Sequence, residues 1–132
     1  MWLGWWTTIP ATILATIRMN LDLFSPKIMG ILNVPPDSFS DGGLFARTQD
    51  SEHIIQQIIE EGAHIIDVGG ESTGPGSKDV SLAEEMSRVK PVIDFAEKNG
   101  LVREALFSID TYKSEVAEYA LEHGFGMVND VT

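Results

Sequence analysis

Four short apolar runs in this chain each close on a carboxylate or a carboxamide: Asn33, Asp67, Asp110, and Asn129 followed by Asp130. In α/β folds, side chains at the C-terminal ends of strands point into the ligand site. A carboxylate accepts N–H and O–H donors, and an amide carries both a donor and an acceptor. Any one of these residues could simply cap a loop, but four in successive strands make a site. A second feature is Gly69-Gly70, followed shortly by Thr73-Gly74-Pro75-Gly76. Glycines there let the backbone approach a ligand beside a hydroxyl, although the same residues also read as a plain turn. The chain has no cysteine, which excludes disulfides, thiolate metal sites and cysteine nucleophiles.

The elements that must position these residues follow from the apolar pattern. Ile28–Val34 is almost unbroken in its apolar character, as expected of a strand covered on both faces. Pro35–Gly43, with two prolines and two glycines, reads as loop. Residues 51–61 predict a helix with Ile54, Ile55, Ile58 and Ile59 on its core face, ended by Gly62. The unit then repeats. Strand 63–68 leads through loop 69–77 to a helix that starts at a capping box, Ser81 with Glu84, and runs to Lys98 before Asn99-Gly100. Glu84 and Glu85 read as a solvated helix start. A third strand at 105–110, a helix at 114–122 stopped by Gly124, and a fourth strand at 125–131 complete the series. Four β units in series imply a parallel sheet with right-handed crossovers, either open and doubly wound or the first half of an eight-stranded barrel. Periodicity alone does not separate the two.

Composition narrows the partners. A chain of 132 residues supports one modest core, and its 43% apolar content is that of a folded domain. Twenty acidic residues against nine basic ones give a formal charge of −11, which repels phosphate backbones and anionic lipid. Nucleic acid and membrane surfaces are therefore poor partners, and a cytoplasmic location is expected. Residues 1–18 form an apolar, Trp-rich leader that lacks a basic n-region, is interrupted by Pro10, and falls short of the roughly 20 apolar residues that span a bilayer. We read it as non-native or disordered, ahead of a short strand at Asn20–Phe24.

The segment Met29-Gly30-Ile31-Leu32-Asn33-Val34-Pro35-Pro36-Asp37-Ser38-Phe39-Ser40-Asp41-Gly42-Gly43 resembles the first signature of the dihydropteroate synthase family. Asp67-Val68-Gly69-Gly70-Glu71-Ser72-Thr73 resembles the second. Ser108–Lys113 and Val128–Val131 follow in the family's order, so the resemblance covers about Leu21 to Thr132. It implies the N-terminal half, about four βα units, of a TIM-type (β/α)8 barrel that typically has about 250 residues. It also implies a folate-pathway enzyme that condenses 6-hydroxymethyl-7,8-dihydropterin pyrophosphate with p-aminobenzoate and releases pyrophosphate. The expected cofactor is Mg2+, the expected partners are those small molecules, and full-length relatives are expected to be homodimers.

Carried onto this chain, the resemblance assigns Asp110 and Asn129 to the pterin edge, and Thr73 and Asn33 to the pyrophosphate. Asn33 also becomes the Mg2+ ligand, a neutral oxygen suited to a hard ion that retains water and substrate phosphate. Asp67, Ser38 and Phe39 fall at the catalytic positions: Asp67 to orient the loops or assist proton removal, Ser38 and Phe39 on a loop that closes over p-aminobenzoate. His53, His64 and His123 match no catalytic position and read as structural or solvated. Two departures stand out. The family usually has Thr where this chain has Pro35 and Arg where it has Gly74, so a hydroxyl and a planar cation are missing from the two loops. The later strands of the family bring a lysine, an arginine-histidine pair and a further aspartate, so this chain alone is expected not to turn over. The alternative is a non-catalytic pterin-binding half-barrel or a decayed homologue.

Overall fold

In the computed structural model, residues 25–34, 43–71 and 78–130 are described, with side chains in the first helix from residue 49 onward. The leader, the strand expected at Asn20–Phe24, the loop with Ser38 and Phe39, and the segment with Thr73 lie outside the described residues. The chain runs β1 (Met29–Asn33), α1 (Gly43–Glu60), β2 (Ile65–Gly69), α2 (Leu82–Lys98), β3 (Leu106–Asp110), α3 (Ser114–Glu122) and β4 (Met127–Asn129), with a 3-10 turn at Leu101–Arg103 ahead of β3.

All neighbouring strands are parallel, and their spatial order is their chain order, β1-β2-β3-β4. This settles the choice that periodicity left open. A doubly wound sheet reverses direction and places its first strand inside the sheet, whereas a barrel steps one strand over each time. The described sheet has barrel order.

Side chains alternate across each strand, so the pairing register sorts them into two faces. Leu32 of β1, Ile66 and Val68 of β2, and Phe107 and Ile109 of β3 share the hydrophobic core with Ile55 of α1, Val89, Val92, Ile93 and Ala96 of α2, and Val116 and Ala120 of α3. Burying each of the larger of these stabilises the fold by about 1.5–3 kcal/mol. Phe125, just before β4, closes the core against Phe107 with ring centroids 5.1 Å apart. The opposite face carries Met29, Ile31 and Asn33, then Asp67 and Gly69, then Ser108 and Asp110, then Asn129. On β1 that face is open, with Ile31 65% exposed.

Three local readings change. α1 starts at Gly43, not Ser51, because residues 44–50 contain no glycine or proline and continue the helix without a break. Its buried stripe is centred on Ser51 and Ile55, one turn apart, so Ile54 lies off the stripe at 40% exposure while Ile55 is fully buried. Ser81 caps α2 by accepting the Glu84 N–H at 3.2 Å, but the Glu84 carboxylate turns to Arg88 instead of closing a reciprocal box. Pro91 lies inside α2 without ending it; the buried face formed by Val89, Val92, Ile93 and Ala96 carries the helix past the lost hydrogen bond.

Candidate active site

The sheet register brings the strand ends together. Asn33 pairs with Gly69, Gly69 with Asp110, and Asp110 with Asn129, so four successive strands end at one level. Gly69 keeps the middle of that row clear. A Cβ built on it would lie 3.5 Å from Asp110 Oδ2 and 3.6 Å from Asn33 Oδ1, so the two polar side chains lean over a position that has none of its own.

Asp67 sits one step below, paired with Ser108. Its carboxylate is 4% exposed, and the Asn129 side-chain amide donates to Asp67 Oδ2 at 3.0 Å, reaching from β4 past β3 to β2. With its N–H committed in this way, Asn129 keeps its amide carbonyl as an acceptor. Asp67 Oδ1 and the Ser108 hydroxyl are both buried without a hydrogen-bond partner. Buried polar atoms are nearly always paired, so two unpaired ones on facing residues mark this layer as a place where polar groups are held for something other than the fold.

Asp110 is perturbed by these surroundings. Burial raises its pKa above the ordinary value of 3.8, and the charges of Asp67, Glu85, Asp130 and Glu71 raise it further. A ligand that donates N–H groups to Asp110 relieves that repulsion.

An ion cluster, buried at Glu85 and half-buried at Glu71 and Lys113, lies beside this row, and it corrects the reading of Glu85. Glu85 is 1% exposed, not solvated. The Lys113 ammonium donates to Glu85 Oε2 at 2.6 Å and to Glu71 Oε2 at 2.8 Å. Burial works against the Lys113 charge, but its hydrogen bonds to Glu71 and Glu85 prevail and raise its pKa well above the usual value. The Arg88 guanidinium donates to the Gly70 carbonyl at 2.8 Å and pairs with Glu84. A signal for this cluster was present in the sequence. Glu85, Arg88, Val89, Val92, Ile93 and Ala96 fall at helical spacing on one stripe, so the first two occupy core positions and need partners.

Of the residues expected at the site, Asn33, Asp67, Asp110 and Asn129 converge, while Ser38, Phe39 and Thr73 lie outside the described residues. Ser108, Glu71, Glu85 and Lys113 are additions. His64 Nδ1 accepts the Ile28 N–H at 3.1 Å, just before β1 and β2 begin and so away from the strand ends that form the site. His123 stacks on Tyr119 at 4.0 Å, and His53 is exposed. Among the described residues no group of three or more His, Cys, Asp or Glu is arranged to hold a metal ion, and no helix is long and apolar enough to cross a membrane.

A family model described as pterin binding enzyme matches residues 29–132. A dihydropteroate synthase of Streptococcus pyogenes serotype M1 is 54% identical over 104 residues, which are 79% of this chain and 38% of that protein. Among solved structures, the dihydropteroate synthase of Clostridium difficile, crystallised in the presence of pteroic acid, is 50% identical with a TM-score of 0.70, covering 80% of this chain and 39% of that one. That of Anaplasma phagocytophilum, with bound 6-hydroxymethylpterin-monophosphate, is 43% identical with a TM-score of 0.69, covering 75% and 37%. The chain therefore spans about two fifths of the length of the curated relatives it matches. The four-stranded parallel sheet with its alternating helices corresponds to part of the TIM-barrel fold of these synthases, as its strand order requires. From the match over 29–132 and this shared architecture, the chain belongs to the pterin-binding enzyme family.

Proposed function

We propose that this chain supplies the pterin-reading part of a dihydropteroate synthase active site, in which a dihydropterin pyrophosphate is condensed with p-aminobenzoate. The observation that carries the reading is the row of strand ends, with Asp110 over Gly69 and Asn129 fixed to Asp67 at 3.0 Å. Asp110, ionised, accepts the amino and ring N–H groups of an aminopyrimidine. Asn129 offers its carbonyl to the same edge, held in one orientation by Asp67. Buried, charge-assisted bonds of this kind give discrimination because a ligand that lacks the donors leaves the carboxylate unpaired.

Asn33 projects from the neighbouring strand end and faces the pyrophosphate, with Thr73 assigned to the same group and Ser38 and Phe39 to the arylamine. The described residues suit Mg2+ only as an ion that takes one or two protein oxygens, from Asn33 with Asp110 nearby, and fills its remaining positions with phosphate oxygens and water. Bound there, it would neutralise charge on the departing pyrophosphate. In the reaction the arylamine nitrogen forms a bond to the pterin methylene carbon as the C–O bond to pyrophosphate breaks, and the nitrogen then loses a proton.

The test is a condensation assay with 6-hydroxymethyl-7,8-dihydropterin pyrophosphate, p-aminobenzoate and Mg2+, on this chain alone and joined to the remaining portion of a working relative. Activity in the joined protein, lost on Asp110→Ala, is the expected result. A joined protein that is folded and silent overturns the synthase reading and favours a pterin-binding homologue that does not make the bond.

A further inference from the structure

The cluster of Glu71, Glu85 and Lys113 ties together three parts of the fold that each contribute to the site. Glu71 is two residues past the end of β2, Glu85 lies in the first turn of α2, and Lys113 is three residues past the end of β3, which carries Asp110. The two carboxylate oxygens of Glu71 have different duties. Oε2 accepts from Lys113 at 2.8 Å, and Oε1 accepts the Val80 N–H at 3.3 Å. One side chain thus pins both described ends of the β2–α2 connection and links them to the exit of β3. Arg88 fastens the same connection from α2 through the Gly70 carbonyl at 2.8 Å. Gly70 is pressed so closely on α2 that a Cβ there would lie 2.9 Å from Val89 Cγ1.

On this geometry we propose that Lys113 is a positioning residue, which clamps Glu71 and Glu85 and so fixes the described ends of the β2–α2 connection, at Glu71 and Val80, relative to Asp110. The inference rests on the reading of Asp110 as the pterin-binding carboxylate, and it adds a residue that does not itself touch the ligand. The fold alone does not require so costly a device. One carboxylate is buried here and a second, with the ammonium, is largely withdrawn from water, and an apolar cluster of the same volume commonly stabilises as well or better. The cluster instead specifies one arrangement, because Lys113 bonds one oxygen of each carboxylate at once, while Glu85 Oε1 is buried without a partner. Glu71, Glu85, Asp67 and Asp130 all bear on Asp110, so a clamp that lets go also moves two negative charges that act on it.

The experiment compares the parent with Lys113→Met and Lys113→Arg, each joined to the remaining portion of a working relative, by amide hydrogen exchange and by titration with 6-hydroxymethylpterin-monophosphate. In Lys113→Met the Val80 amide is expected to exchange about tenfold faster or more, while the Thr111 amide, bonded to the Asn129 carbonyl at 3.1 Å, keeps its protection. Pterin affinity is expected to fall about tenfold, and Lys113→Arg to restore part of both. A merely structural role predicts faster exchange across the whole sheet and no rescue, and that outcome overturns the proposal. So does a folded Lys113→Met with parental Val80 protection or parental affinity. Should Lys113→Met fail to fold, the triple variant Glu71→Gln, Glu85→Gln, Lys113→Met removes the unpaired charges, and parental behaviour in it refutes the clamp. Loss of Val80 protection with no pterin binding by either protein would refute the pterin reading and leave the clamp standing.

Discussion

Asp110 illustrates how one side chain is held at odds with the fold. Its pKa is raised by burial first and then by neighbouring carboxylates. A raised folded-state value means that the folded chain binds the proton more readily than the unfolded chain. The stability associated with that proton is complete below the unfolded value and is lost as pH rises through the folded one. Near neutral pH the ionised Asp110 therefore opposes folding. Asp110→Asn is expected to raise the melting temperature at pH 7 and to lose that gain in acid, while pterin affinity drops roughly tenfold or more. Calorimetry and ligand titration on one preparation check both signs. In the parent, pterin affinity should decline as acid protonates Asp110, beginning at a higher pH than for an ordinary aspartate. Asn129 works the other way. Asn129→Leu removes the donor to Asp67 Oδ2 and leaves a second buried carboxylate oxygen unpaired, at a cost of about 1–3 kcal/mol, measurable as a lower denaturation midpoint with an unchanged slope.

Among the elements, α2 is the one on which the site leans most. Its first turns contact Gly70, with the Glu85 carbonyl 3.3 Å and Val89 Cγ1 2.9 Å from where a Cβ would be. Gly70→Ala must push the helix or the loop aside, and overpacking of this kind costs about 1–3 kcal/mol. Equilibrium unfolding in urea reads the loss, and the Val80 amide should lose protection with it. The N-terminus of the same helix depends on Ser81, whose hydroxyl oxygen accepts the Glu84 N–H at 3.2 Å. Ser81→Ala should lower stability by about 1 kcal/mol. It would leave the ion cluster intact, since Glu85 is held by Lys113 and not by the cap.

At the scale of the whole molecule, the sheet ends in two edges among the described residues, β1 and β4, and presents Ile31 at 65% exposure and Met29 at 41% on the open face of β1. Unpaired edges and apolar faces recruit other chains. Expressed alone, the chain should associate as its concentration rises, and Ile31→Lys should shift it toward monomer with little change in melting temperature, as light scattering coupled to gel filtration would show. Much of this molecule was legible in its sequence. The β-loop-α rhythm, the four strands and the polar residues at their ends follow from local spacing, because strand periodicity and turn residues act over a few positions. The signature motifs identified Asn33, Asp67, Asp110 and Asn129 individually. Local spacing left the strand order open, since both α/β architectures use the same units, and only the pairing of β1 through β4 in sequence decided it. It also misread Glu85 as solvated, because a carboxylate at a helix start is ordinary until a cation from just past β3 and a carboxylate from just past β2 are brought beside it. The reach of Asn129 across to Asp67 and the Lys113 clamp join residues more than 25 positions apart, and the row of strand ends joins four separate strands. Such contacts exist only once the sheet has formed, so the residue types came from the sequence and their partnership from the tertiary structure.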